Sequence, residues 1–156
     1  MHPDVWLVFL HLLCIIGTAS MLVAEMMLCR PGIAGAALHR LKRIDIAYAV
    51  FAVAALATGA TLLFHGAKGS AYYLANPVFH AKFGLFVLIA LISIVPTVRF
   101  IGWSKAAQRQ PSFAPEAAAV AGMRRLLHVE LVLLAWLPLL GAAMARGVTR
   151  FAQLLG

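Results

Sequence analysis

His11, Cys14, Thr18 and Glu25 stand at offsets 0, 3, 7 and 14 along an otherwise apolar stretch. At about 100° per residue they form one stripe roughly 60° wide on a helix. An ionisable side chain near a bilayer centre costs at least about 2.5 kcal/mol on insertion scales, so this stripe must face protein, and its charged members are functional candidates. His11 and Glu25 are separated by about 21 Å of helical rise, which places them in opposite leaflets and out of reach of one small ligand. His80 and Lys82 open a later apolar stretch at the depth of His11. They lie about 200° apart around their helix, so one serves as a ligand or pocket group while the other snorkels or pairs elsewhere. Gly84, one turn beyond His80, lets a flat macrocycle or a neighbouring helix approach. Neutral imidazole is a common axial ligand of haem iron, and helix bundles hold cofactors between facing helices. His11 reads either as a histidine hydrogen-bonded to a neighbouring helix or, with His80 at matching depth, as a metal-ligand candidate, with Lys82, Cys14 and Gly84 around the pair.

A second group gathers at the other membrane face: Glu25, Asp45, Tyr48, Arg99, Arg124, Arg125, His128 and Glu130. Its charges are of both signs, which predicts ion pairs between helix ends; a proton route or a propionate-binding end is the sharper alternative. His128 and Glu130 point to opposite faces, so at most one is central. His2, His39 and His65 read as terminal or loop residues in solvent. Met21, Met26 and Met27 read as packing. There is no Gly-rich phosphate loop and no H-E-x-x-H zinc spacing.

The elements that must position these groups are spanning helices. The chain of 156 residues is 63% hydrophobic and 12% charged, where soluble domains carry about 25% charge. Mean hydropathy is +0.94. Four stretches reach the roughly 20 apolar residues that a span needs: 5–28, 44–64, 78–100 and 122–145. The expectation is an all-α integral membrane four-helix bundle, with residues 1–156 forming a single transmembrane domain. The segments 29–43, 65–77 and 101–121 are its connections. Asp4 suits the positive end of a first helix dipole, Asn76-Pro77 reads as an N-cap with a first-turn proline, and Arg30-Pro31-Gly32 ends span one. Trp6, Tyr72, Tyr73 and Trp103 fall where aromatic belts are expected, and Pro96 and Pro138 lie inside spans. Span one has no basic n-region and carries Glu25 where a cleavage site would be sought, so it reads as retained. Cys14 and Cys29, about 22 Å apart on one helix, cannot bridge.

Net charge is +8. Nine cations, namely Arg30, Arg40, Lys42, Arg43, Arg99, Lys105, Arg109, Arg124 and Arg125, fall on one side, against Lys68, Lys82, Arg146 and Arg150 on the other. The positive-inside rule then puts both termini on the periplasmic side of a bacterial inner membrane, as a multi-pass protein. Topology and anionic headgroups thus explain the charge, and no aromatic-interleaved basic patch argues for nucleic acid.

The stretches Arg40-Leu-Lys-Arg-Ile-Asp-Ile-Ala-Tyr48, Lys68-Gly69, Tyr72-Tyr73-Leu-Ala-Asn-Pro-Val-Phe-His-Ala-Lys82, Ser93-Ile-Val-Pro-Thr97 and Met144-Ala-Arg-Gly147 resemble the uncharacterised family of bacterial four-span membrane proteins DUF 2214, over nearly the whole chain. A more distant likeness is to the HemJ-type protoporphyrinogen oxidases. That resemblance implies a haem b protein in which a first-span histidine and a third-span His-x-Lys are functional; here these are His11 and His80-Ala81-Lys82. The last span departs from the HemJ pattern Asn-Glu-x-Pro, reading His128-Val129-Glu130 with proline only at Pro138. The expected role is redox: electron transfer, or oxidation of a membrane-soluble substrate such as a quinol or porphyrinogen. The same residues fit two alternative readings. One is a cofactor-free proton or cation transporter or channel subunit using Glu25, His128 and Glu130. The other is an accessory or assembly subunit that binds another membrane protein. So thin a bundle also suggests a homodimer.

Overall fold

The computed structural model describes residues 3–65 and 69–147, the side chains of Pro3, Asp4 and Ala145 excepted. His2, Lys68 and Arg150 lie outside the described residues. Helix α1 runs Pro3–Leu28, α2 Ala36–His65, α3 Gly69–Leu74, α4 Pro77–Arg109 and α5 Ala117–Ala145. All but the short α3 are long and apolar enough to cross a membrane. Each of these four turns large apolar side chains outward, among them Ile16, Val53, Leu91 and Val132, all about 60% exposed. Such surfaces are compatible with lipid and not with water. The chain is an all-α bundle of membrane-spanning length.

The spans pack in the cyclic order α1, α2, α4, α5, with α1 against α2 and α4 against α5 as the closest pairs. Both pairs are antiparallel hairpins. The α1–α2 turn contains Gly32 and Gly35 at φ +81° and +53°, left-handed conformations that glycine adopts without a Cβ penalty. Across this hairpin His11 meets Thr58 and Gly17 meets Phe51, pairs whose numbers sum to 69 and 68. The α4–α5 turn is centred near residue 113, so its partners sum to about 226.

The bundle is unevenly filled. Leu22, Leu38, Leu41, Phe100, Val120 and Leu127 are fully buried and make a solid core at the end where α1 and α2 connect. At the other end a small cluster of Val78, Ala143 and Met144 packs with Tyr73 and Phe79. Asn76 caps α4 as its sequence signature predicts: its Oδ1 accepts the Val78 N–H at 2.9 Å, and Pro77 follows at the first helical position.

The helices outrun the apolar stretches. α2 begins at Ala36 rather than near 44, α4 continues to Arg109, and α5 starts at Ala117, so the third connection shrinks to 110–116. These added turns are amphipathic. Leu38, Leu41, Trp103, Ser104 and Ala107 are buried, while Arg40, Arg43, Lys105 and Arg109 point outward. A search for uninterrupted apolar residues cannot see such turns. Two expectations change in consequence. Trp103 is buried against Phe100, with ring centroids 5.7 Å apart, and not in an interfacial belt. His39 is a half-buried residue of α2 rather than a solvated loop residue, its Nδ1 lying 2.8 Å from Ser104 Oγ on α4.

Candidate functional site

The α1–α2 register brings His11 opposite Thr58, and His11 Nδ1 lies 2.9 Å from Thr58 Oγ1. The Thr58 hydroxyl itself donates to the carbonyls of Ala54 and Ala55, at 2.8 and 3.1 Å. With its single proton committed there, Oγ1 can only accept from the imidazole. His11 is thereby fixed as the Nδ1–H tautomer, and Nε2 carries the lone pair. Gly59 supports this placement: a Cβ there would stand 3.1 Å from His11 Cε1, tighter than the ring tolerates without shifting.

His11 lines a cavity of about 400 Å³ between α1, α2, α4 and α5, with Tyr73 of α3 at its margin. This volume is within the range of small-molecule sites. Its walls are mostly apolar and include Phe79, Phe83, Phe86, Leu134 and Leu137. Lys82 also lines it, close enough for its charge to act on His11. The Lys82 Nζ lies 3.5 Å from where a Cβ on Gly141 would stand, so a bare helix face on α5 makes its room. A cation and an imidazole thus share one apolar cleft within the bundle.

The other groups read from the sequence around His11 are not brought to it. His80 is exposed, and its Nε2 lies 2.8 Å from the carbonyl of Leu74, tying α4 to the end of α3. Lys82, not His80, is the member of the His-x-Lys pair that enters the cavity, as their angular separation demands. Gly84 is exposed, with open space where a Cβ would stand. Cys14 is a buried free thiol that does not line the cavity, whereas Thr18, hydrogen-bonded to the Cys14 carbonyl at 2.8 Å, does. Sequence reasoning missed Thr58, Gly141 and the aromatic wall. Thr58 and Gly141 stand on neighbouring helices across from His11 and Lys82, so their selection depended on how the helices pack.

The second group separates into acids inside and bases outside. Glu25, Asp45 and Glu130 are each 1% exposed. Tyr48 donates to Glu130 Oε2 at 3.3 Å, and Thr97 donates to Asp45 Oδ1 at 2.8 Å. Among the described residues no cation pairs with any of the three, so the expected ion pairs between helix ends do not form. Arg99, Arg125 and His128 are exposed, where water or headgroups can solvate their charge. His128 Nδ1 lies 2.7 Å from its own helix's Arg124 carbonyl. Arg124 Nη1 donates to the carbonyls of Met26 and Cys29, at 3.3 and 2.9 Å, satisfying orphan acceptors at the end of α1. Beside it, burial pushes the Cys29 thiol up to about 11, so this group is uncharged at neutral pH. Among the described residues no three His, Cys, Asp or Glu side chains are arranged to hold a metal ion.

Set against known proteins, this apolar bundle matches one family model, described as a predicted membrane protein family, DUF2214, over residues 3–149. The chain belongs to that family of membrane proteins. No curated protein and no solved structure matches it.

Proposed function

We propose that the chain is a haem b protein of the bacterial inner membrane with a redox role: electron transfer, or oxidation of a membrane-soluble substrate such as a quinol or porphyrinogen. One observation carries the reading. His11 is held by Thr58 with its Nδ1 proton engaged, leaving the Nε2 lone pair as the only metal-binding face of the ring, within an apolar cavity that it shares with Lys82. Histidines that bind metals are typically oriented through just such a bond on the other ring nitrogen. The donor set suits haem: one neutral imidazole lone pair for the iron, aromatic and aliphatic walls for a macrocycle, and one lysine that would meet a propionate as an ammonium or ligate only as the neutral amine. His80 has no part in it, being turned to the Leu74 carbonyl. Bound there, haem would supply one-electron chemistry, while the chain would set potential through axial ligand, burial and nearby charge.

The cation asymmetry supports both termini on the periplasmic side. Purified in detergent, the protein is expected to show a Soret band that His11→Ala abolishes. A colourless protein that takes up no haem on titration overturns the reading.

A further inference from the structure

The redox reading leaves the three buried carboxyl groups unused, and they are the most costly feature of the bundle. Three of the five acidic residues of the chain sit almost fully enclosed on three helices: Glu25 on α1, Asp45 on α2 and Glu130 on α5. The α1–α2 register brings Glu25 beside Asp45, and Glu25 lies within electrostatic reach of both Asp45 and Glu130. Each carboxyl has one buried oxygen without a partner: Glu25 Oε1, Asp45 Oδ2 and Glu130 Oε1. A buried side-chain oxygen with no partner is an unmet demand for a ligand.

The ligand must be cationic or a proton. Three adjacent carboxylates in a medium of low polarity repel one another and lack hydration, at a cost that two hydroxyl donors offset only in part. The groups around them come from every packed helix. Tyr48 and Thr97 each give one hydroxyl proton, and Ser93 of α4 adjoins the Tyr48 hydroxyl. Cys29 is an uncharged thiol, Arg124 is occupied by carbonyls, and Lys42 of α2 is half-buried one turn outside Asp45. The three are not spaced as a metal cage. Protons meet the demand with no change in geometry, since each turns an orphan oxygen into a neutral acid.

We propose that Glu25, Asp45 and Glu130 form an intramembrane proton-binding site, whose orphan oxygens hold exchangeable protons in the folded protein at neutral pH. Tyr48 and Thr97 are its positioning residues, each fixing one oxygen of a carboxyl and leaving the other to be loaded. The site is independent of the His11 cavity. It lies at the opposite end of α1, about 21 Å of helical rise away.

The test is infrared spectroscopy of the full chain in liposomes at pH 7. The expected result is a carboxylic-acid C=O absorption that shifts in D₂O and weakens in each of Glu25→Gln, Asp45→Asn and Glu130→Gln. Absence of that absorption in the wild type overturns the proposal, as does retention of one equivalent of metal cation in its place. So does an absorption indifferent to all three substitutions in variants that elute like wild type. Should the variants fail to fold, the wild type decides alone. A hydrophobic carbodiimide, which needs a protonated carboxyl, should label one of the three in peptide maps; labelling confined to Asp4 or Glu116 overturns the proposal.

Discussion

A hydroxyl has one proton, and Thr58 gives its own to the backbone one turn earlier in its helix, so its oxygen can act toward His11 only as an acceptor. This small constraint determines which face of the imidazole is available for coordination. Thr58→Val keeps the side-chain shape and removes the acceptor. Titrating the apoprotein with hemin should then show affinity reduced about 10–100-fold, the usual effect of losing the partner of a ligating histidine. Thr58→Ser should retain most of it. Unchanged affinity in the valine variant would show that the ring is oriented by packing alone. Lys82 was legible as a candidate from composition, because an ammonium in an apolar run is costly. Its choice over His80 was not. That depended on how α4 is rotated, which a single helix does not encode.

At the scale of elements, the α1–α2 hairpin positions both candidate sites, His11 with Thr58 at one end and Glu25 with Asp45 at the other. At Gly17 the two helices leave no room for a side chain: a Cβ would fall 2.5 Å from the Phe51 ring. Small residues permit such approach between spans, where packing rather than hydrophobic transfer drives association. Gly17→Leu should therefore force the helices apart. Overpacking of this kind typically costs about 1–3 kcal/mol, read as a lowered Tm in detergent, and the double variant with Phe51→Ala should recover part of the loss. A Gly17→Leu protein of wild-type Tm would contradict the close crossing. The helix ends were the least legible elements. Residues 36–43 and 101–109 continue α2 and α4 through turns with one buried and one charged face, and their low mean hydropathy conceals them.

For the molecule as a whole, the uneven filling divides the bundle into a packed half holding the three acids and an open half holding His11 and Lys82. If the cation-rich connections face the cytoplasm, the cavity lies toward the periplasm and the acids toward the cytoplasm. Fusion of alkaline phosphatase to the C-terminus should then be active, and a fluorescent protein fused there and exported unfolded should be dark. The reverse pattern would invert this orientation.

The spanning helices, their number and their approximate centres were written in the sequence, because the cost of backbone and charge in hydrocarbon leaves an apolar stretch of that length almost no alternative to a helix. The chemical types at stake were legible for the same reason: Glu25, Asp45, Glu130, His11 and Lys82 stand out against an apolar background. Partnership was decided by tertiary structure. Helix rotation and hairpin register sent Arg99, Arg125 and His128 outward, spent Arg124 on carbonyls, and gave two of the three carboxyls, Asp45 and Glu130, a hydroxyl in place of a cation. Those are relations between faces of different helices, and periodicity within one helix carries no information about which neighbour a face will meet.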